Sequence, residues 1–145
     1  MISFLRYLTL LREGGWSNAI YSADGVTSNY FLILQDDGNM CIYRGTSPND
    51  NQGFIWASGT NGKQLSPNPL YAAAKGKYGK NWISQGSTLA SGDFIGSTNG
   101  NMALIMQADG NLVLYTFTME ANCAKMSDGN TGGNSGTNAV YNIGN

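Results

Sequence analysis

Two stretches of the chain carry the same series of side chains at alternate positions. The first is Gln35, Asp37, Asn39, Cys41 and Tyr43. The second is Gln107, Asp109, Asn111, Val113 and Tyr115, at a constant offset of 72 residues. Each series offers two carboxamides, a carboxylate, a phenol and one small apolar group. Amides donate and accept, a carboxylate only accepts, and a phenol does both. That mixture suits the vicinal hydroxyls of a sugar, each of which is donor and acceptor at once. The carboxylate supplies charge-assisted bonds, about twice as strong as neutral ones, and the apolar side chain covers a patch of ring C–H. A site built this way rejects an epimer because a misplaced hydroxyl leaves the site's own polar groups unpaired. Alternate residues of a strand share a face, so a largely extended run from Gln35 to Tyr43, and from Gln107 to Tyr115, would present each series on one side.

Other chemistries are poorly provided for. The chain of 145 residues has no histidine and two cysteines, Cys41 and Cys123. Imidazole-based catalysis, imidazole metal sites and a four-thiolate zinc site are therefore excluded. The formal net charge is −1, which offers no basic footprint for nucleic acid. No apolar run approaches the roughly 20 residues of a membrane span. Asp36 with Asp37, or Asp93 with Asp109, invite comparison with glycosidase carboxylates, but nothing places a pair in an apolar cleft, and no enzymatic activity is expected. The Asp128–Gly132 stretch has a faint look of a calcium loop and lacks its later Glu, so no metal or cofactor is expected. Cys41 and Cys123 are read as free thiols, the alternative being a disulfide closing a long loop.

The elements that must hold these residues are strands. Only 12% of residues are charged, against about 25% in an average soluble domain. The aromatic share of 11% is nonetheless too high for a disordered chain. The 20 glycines recur in Asp-Gly and Asn-Gly pairs between short apolar runs, the pattern of tight turns in an all-β domain. Helical periodicity is almost absent; the best candidate, Tyr71–Lys75, is cut short by Gly76 and Gly79. The segments 30–43 and 102–115 each read as a hairpin turning at Asp-Gly or Gly-Asn. The start, Met1–Arg12, reads as a first strand in preference to a signal peptide, because Arg6 interrupts the apolar stretch and no small-residue cleavage site follows cleanly. Two weaker echoes are Asn-Ala-apolar-Tyr at 18–21 and 138–141, and Trp16, Trp56 and Trp82, which suggest one tryptophan per repeat around a shared core. Residues 44–53 and 59–70 hold all three prolines and read as loops. The tail 126–145 is rich in Gly and Asn, with Ala139-Val140-Tyr141 expected to pair as a strand.

The series Gln-x-Asp-x-Asn-x-Val-x-Tyr resembles the mannose-binding motif of the monocot bulb-type lectins, the snowdrop-lectin family. The second copy matches at every defined position; the first carries Cys41 in place of Val. Trp56-Ala57-Ser58-Gly59-Thr60 resembles the family's Trp-x-Ser-x-Thr segment, and Ser91–Ile95 its lead-in. The likeness covers about 27–62 and 85–117 of a chain read as one domain, 1–145. It implies an all-β, β-prism II fold: three antiparallel sheets around a pseudo-threefold axis. It implies that Asp37, Asn39, Asp109 and Asn111 bind the axial 2-hydroxyl of mannose, that Gln35 and Gln107 bind the 3-hydroxyl and Tyr43 and Tyr115 the 4-hydroxyl, and that Cys41 and Val113 contact ring carbons. Only two motifs are present, so a third sheet would come from the stretch 63–84 or from the first 20 residues pairing with the tail.

The expected function is mannose-specific glycan binding through shallow sites that gain affinity by multivalency, in a homo-oligomer or a tandem or polymeric array. Extracellular or cell-surface action fits that role. The alternatives are a structural assembly protein with vestigial sites, in a filament or surface layer, and a lectin-like toxin or defence protein.

Overall fold

The computed structural model describes residues 6–12, 15–16, 21–22, 29–64, 69–117, 123–128 and 138–143. The chain is all-β, and every strand pair among the described residues is antiparallel. The strands in order are β1 (Arg6–Arg12), β2 (Gly15–Trp16), β3 (Tyr21–Ser22), β4 (Tyr30–Leu34), β5 (Met40–Arg44), β6 (Gly53–Ala57), β7 (Trp82–Ser84), β8 (Thr88–Leu89), β9 (Phe94–Gly96), β10 (Met102–Met106), β11 (Leu112–Phe117), β12 (Cys123–Asp128) and β13 (Asn138–Ile143). They form one sheet in the order β6-β5-β4-β7, a second in the order β12-β11-β10-β9, and a third in the order β2-β1-β13-β8 with β3 also on β1.

The first two sheets are built alike, position for position. β4 and β5 pair from Tyr30 opposite Arg44 to Leu34 opposite Met40; β10 and β11 pair from Met102 opposite Thr116 to Met106 opposite Leu112. The next strand joins with an irregularity between Ile42 and Tyr43 in one sheet and between Leu114 and Tyr115 in the other. Alternation explains the arrangement. Leu32, Leu34, Met40 and Ile42 of the first hairpin and Leu104, Met106, Leu112 and Leu114 of the second meet in one apolar core with Ile83, Leu89 and Ile95. Their strand neighbours, Phe31, Ile33, Cys41 and Tyr43 in the first sheet, therefore lie on the outer face.

The first and last strands meet. β1 pairs with β13 from Arg6 opposite Ile143 to Leu11 opposite Asn138, so of the two sources open for a third sheet, the termini supply it and β7 joins the first hairpin instead. The Ala139-Val140-Tyr141 strand lies within β13, at the centre of that sheet and paired within its own chain. Of the Asn-Ala-apolar-Tyr echo, Tyr21 lies in β3 and 138–141 lie in β13, both strands against β1; 18–20 lie outside the described residues.

Around Tyr71–Lys75, the weak helical candidate cut short by glycines, the chain forms only a 3-10 turn over Pro69–Tyr71 and another over Ala73–Lys75. The loop 44–53 contains one further 3-10 turn, Pro48–Asp50, before β6 begins. One expectation is corrected: the tryptophans are not equivalent. Trp56 packs against the core, whereas Trp82 lies on the outer face against Phe31; the side chain of Trp16 lies outside the described residues.

Two docking contacts set the sheets against one another. Asp36, in the first hairpin turn, accepts from Thr98 Oγ1 at 2.5 Å and from the Asn99 backbone N–H at 3.1 Å, while Asn101 Nδ2 donates to its carbonyl at 2.8 Å. The excursion 69–77 lies along β9: Ala73 N–H donates to Ser97 O at 2.8 Å and Lys77 N–H to Phe94 O at 2.9 Å. This approach is so close that a Cβ on Gly96 would collide with the Tyr71 carbonyl. Lys77 then pairs with Asp93 at 3.1 Å, and the Tyr78 hydroxyl donates to the Thr88 carbonyl at 2.6 Å, tying in β8.

Candidate functional site

The two motif copies occupy the same place in their sheets, at the hairpin turn and on the strand that leaves it. The run is not extended throughout. Asp36-Asp37-Gly38 and Ala108-Asp109-Gly110 form the turns, closed by Gln35 N–H to Asn39 O at 2.9 Å and Gly38 N–H to Gln35 O at 3.0 Å, with 2.9 and 3.0 Å for the corresponding bonds of Gln107, Asn111 and Gly110. Gly38 and Gly110 have φ of 92° and 86°, a backbone that glycine alone adopts without strain. Asp37 Oδ1 accepts from the Asn39 N–H at 2.9 Å and Asp109 Oδ1 from the Asn111 N–H at 3.0 Å, the side-chain turn for which Asp is favoured. One carboxylate oxygen in each copy thus serves the turn. The other, Oδ2, has no protein partner among the described residues, and both carboxylates are exposed.

Asn39 is likewise divided. Its Oδ1 accepts from Ser58 Oγ at 3.2 Å, Gly59 N–H at 3.1 Å and Thr60 N–H at 3.3 Å. Two of these donors are backbone amides, so the carboxamide cannot turn over, and Nδ2 is the end left to donate. The Trp-x-Ser-x-Thr segment therefore has a structural task. Ser58 and Thr60 hydroxyls lie 2.7 Å apart, and the buried Thr60 donates to Gly38 O at 2.6 Å, fixing the hairpin turn from below.

The remaining residues show where the copies differ. Cys41 and Val113 are 2% and 1% exposed, so both act mainly as packing, and Cys41 is a free thiol. In the first copy Cys41 Sγ donates to Gln35 Oε1 at 3.3 Å, and Gln35 Nε2 donates to the Tyr43 hydroxyl at 3.1 Å. In the second, the Tyr115 hydroxyl donates to Gln107 Oε1, and Gln107 Nε2 donates to Asp109 Oδ1 at 3.2 Å. The physical cause is the thiol proton. It needs an acceptor, takes the glutamine oxygen, and turns the glutamine NH2 toward the tyrosine; Val113 makes no such demand. Tyr43 consequently receives a hydrogen bond from Gln35, and its own proton is engaged only by the weakly accepting Cys41 sulfur, while Tyr115 gives its proton to the Gln107 carboxamide oxygen. Burial pushes the Cys41 thiol above its ordinary value of 9.0, opposed by the Tyr43 hydrogen bond and reinforced by the charge of Asp37. Burial also raises the Tyr43 phenol above 10.0, against the Gln35 hydrogen bond that favours the ionised form.

All ten motif residues are thus brought into two clusters of five, each on one hairpin. The acidic residues considered as hydrolytic partners are engaged elsewhere: Asp36 docks the loop before β10, and Asp93 pairs with Lys77 and accepts from the Ala90 N–H at 2.8 Å. Among the described residues no group of three or more His, Cys, Asp or Glu could hold a metal ion, and no helix is long and apolar enough to cross a membrane. The Gly129–Gly132 part of the calcium-like stretch and the Cys123 side chain lie outside the described residues. What the sequence reading missed is the aromatic surface beside the first site: Phe31 stacks on Tyr43 with ring centroids 5.6 Å apart, and Phe54 meets Tyr43 edge-on at 5.9 Å. The irregularity before Tyr43, which brings Phe54 opposite it, has no signal in the residue pattern.

Comparison of the chain with protein-family models, with curated proteins and with solved structures returned no match in any of the three.

Proposed function

We propose that the protein is a mannose-specific lectin with two shallow sites, one on each motif hairpin, and that its three sheets are arranged as a β-prism II about a pseudo-threefold axis. The observation that carries this reading is the shared geometry of Asp37 and Asp109. Each turn uses one carboxylate oxygen internally and leaves the other exposed, at the same position of two hairpins built alike. Beside it stands Asn39, held so that its NH2 points away from the loop it secures. A carboxylate oxygen next to an amide donor accepts from and donates to one hydroxyl, which suits the axial 2-hydroxyl of mannose. Gln35 and Tyr43, or Gln107 and Tyr115, extend the array toward the neighbouring hydroxyls.

No site of this depth binds a monosaccharide tightly, so useful affinity comes from several sites engaging one glycan surface, and the proposal includes a homo-oligomer or a tandem array. The test is a titration with α-methyl mannoside beside the glucose and galactose equivalents, followed on the side-chain amides of Gln35 and Gln107. Mannose alone should shift them, and the double variant Asp109→Ala, Asn111→Ala should abolish the response at the second site only. Equal response to all three sugars, or to none, would sink the reading. Sugar-independent polymers in sedimentation would favour the structural-assembly alternative.

A further inference from the structure

We infer that the first site, and not the second, has an adjoining subsite for another sugar unit of a mannose-containing oligosaccharide, built on the ring of Phe54. The inference rests on the proposed sugar site at Gln35–Tyr43 and extends it. Phe54 is 59% exposed, one of two large hydrophobic residues so exposed among those described. It belongs to β6, opposite Tyr43 in register, and its ring stands edge-on to the tyrosine ring, at 75°. Tyr43 in turn stacks on the buried Phe31 at an interplanar angle of 21°, and Phe31 meets Trp82 at 6.3 Å. The row is braced at its far end, where Lys80 Nζ sits 3.6 Å from the Trp82 ring centroid. Phe54 is thus the open end of a supported aromatic row, not a loose side chain on a loop.

Its position relative to the polar groups gives the ligand class. The Tyr43 hydroxyl belongs to the polar cluster through Gln35, while the Tyr43 ring touches Phe54. The aromatic surface therefore begins where the hydroxyl-reading array ends. A sugar unit linked to the one in that array would lie over Phe54 with a face of polarised C–H bonds against the negative face of the ring, the geometry that the aromatic quadrupole favours. Among the described residues, no large hydrophobic side chain stands as exposed beside Tyr115. By the same strand pairing, Tyr115 faces Lys125 where Tyr43 faces Phe54, and Ala103 stands where Phe31 does. One exposed ring is also far too little for a second copy of the chain, since a stable interface buries about 800 Å² on each partner.

The experiment is an amide-resolved NMR titration with α-methyl mannoside and with a mannobiose, on the native chain, Phe54→Ser and Phe54→Trp. The disaccharide should bind the first site about 3- to 10-fold more tightly than the monosaccharide, the range expected of one aromatic contact, with no such gain at Gln107. Phe54→Ser should erase that gain and leave monosaccharide binding at the first site intact; Phe54→Trp should restore it. If the monosaccharide moves Gln35 but the disaccharide is no tighter, or if Phe54→Ser leaves the gain in place, the subsite is overturned while the sugar site stands. If neither sugar moves Gln35 or Gln107, the parent reading fails and the subsite falls with it. If Phe54→Ser changes only the sedimentation coefficient, the ring belongs to a contact between copies and the inference is again overturned.

Discussion

Replacing Cys41 by valine should convert the first site into a copy of the second. The native thiol donates to Gln35 Oε1, which sends the Gln35 NH2 to the Tyr43 hydroxyl. With an isopropyl group in place of the thiol, Gln35 has the freedom that Gln107 has beside Val113. It should turn end over end, so that the Tyr43 hydroxyl donates to Gln35 Oε1 as Tyr115 does to Gln107. Tyr43 then has no proton left for a ligand. One neutral hydrogen bond is worth about 0.5–1.5 kcal/mol. A mannoside carrying fluorine at the hydroxyl that meets Tyr43, able to accept but not donate, should therefore lose roughly 3- to 10-fold in affinity at the first site of the variant. Stability should hardly move. The added methyl group buries apolar surface worth about 0.8 kcal/mol, which offsets the loss of a weak S–H donor. Near-isosteric swaps of this kind cost less than about 1.5 kcal/mol. The assay is a titration of both proteins with the native and fluorinated mannosides, followed on the Gln35 side-chain amide, with thermal unfolding as the control. An unchanged Gln35 amide and an unchanged affinity ratio would refute the thiol as the cause of the difference between the sites.

Three further outcomes are expected. Asn39→Asp keeps the acceptor used by Ser58, Gly59 and Thr60 but loses the Nδ2 donor, so binding at the first site should fall more than about tenfold with little change in Tm. Asn39→Ala removes that acceptor as well and should cost about 1–3 kcal/mol, or roughly 3–9 °C in Tm. Gly96→Ala places a methyl group against the Tyr71 carbonyl and should destabilise by about 1–3 kcal/mol, with faster proteolysis within 69–77 as the local readout. Because the Cys41 thiol is raised above 9.0 in the folded chain, the unfolded chain loses that proton first as pH rises. The thiol's contribution is therefore present below about pH 9 and lost above it. Denaturant midpoints measured from pH 8 to 10.5 should fall more steeply for the native chain than for Cys41→Val.

The repeated Gln-x-Asp-Gly-Asn series already determined two equivalent hairpins. Its apolar flanks must pair, Gly38 and Gly110 permit the left-handed turn, and Asp37 and Asp109 close it with their own side chains; all of this is local and periodic. The apolar runs also named the core, because alternation leaves Leu32, Leu34 and Ile42 on one side. Other properties depend on residues far apart in the chain and have no spacing to read. The third sheet needs β1 to meet β13 across almost the whole chain, a pairing that loop closure makes one choice among several. The division of Asn39 between loop and ligand needs Gly59 and Thr60 folded back onto the turn. The opposite orientations of Gln35 and Gln107 follow from one thiol proton, visible only once Cys41 is seen within reach of the Gln35 oxygen. The placement of Phe54 beside Tyr43 came from a one-residue irregularity in strand pairing, which tertiary packing alone decides.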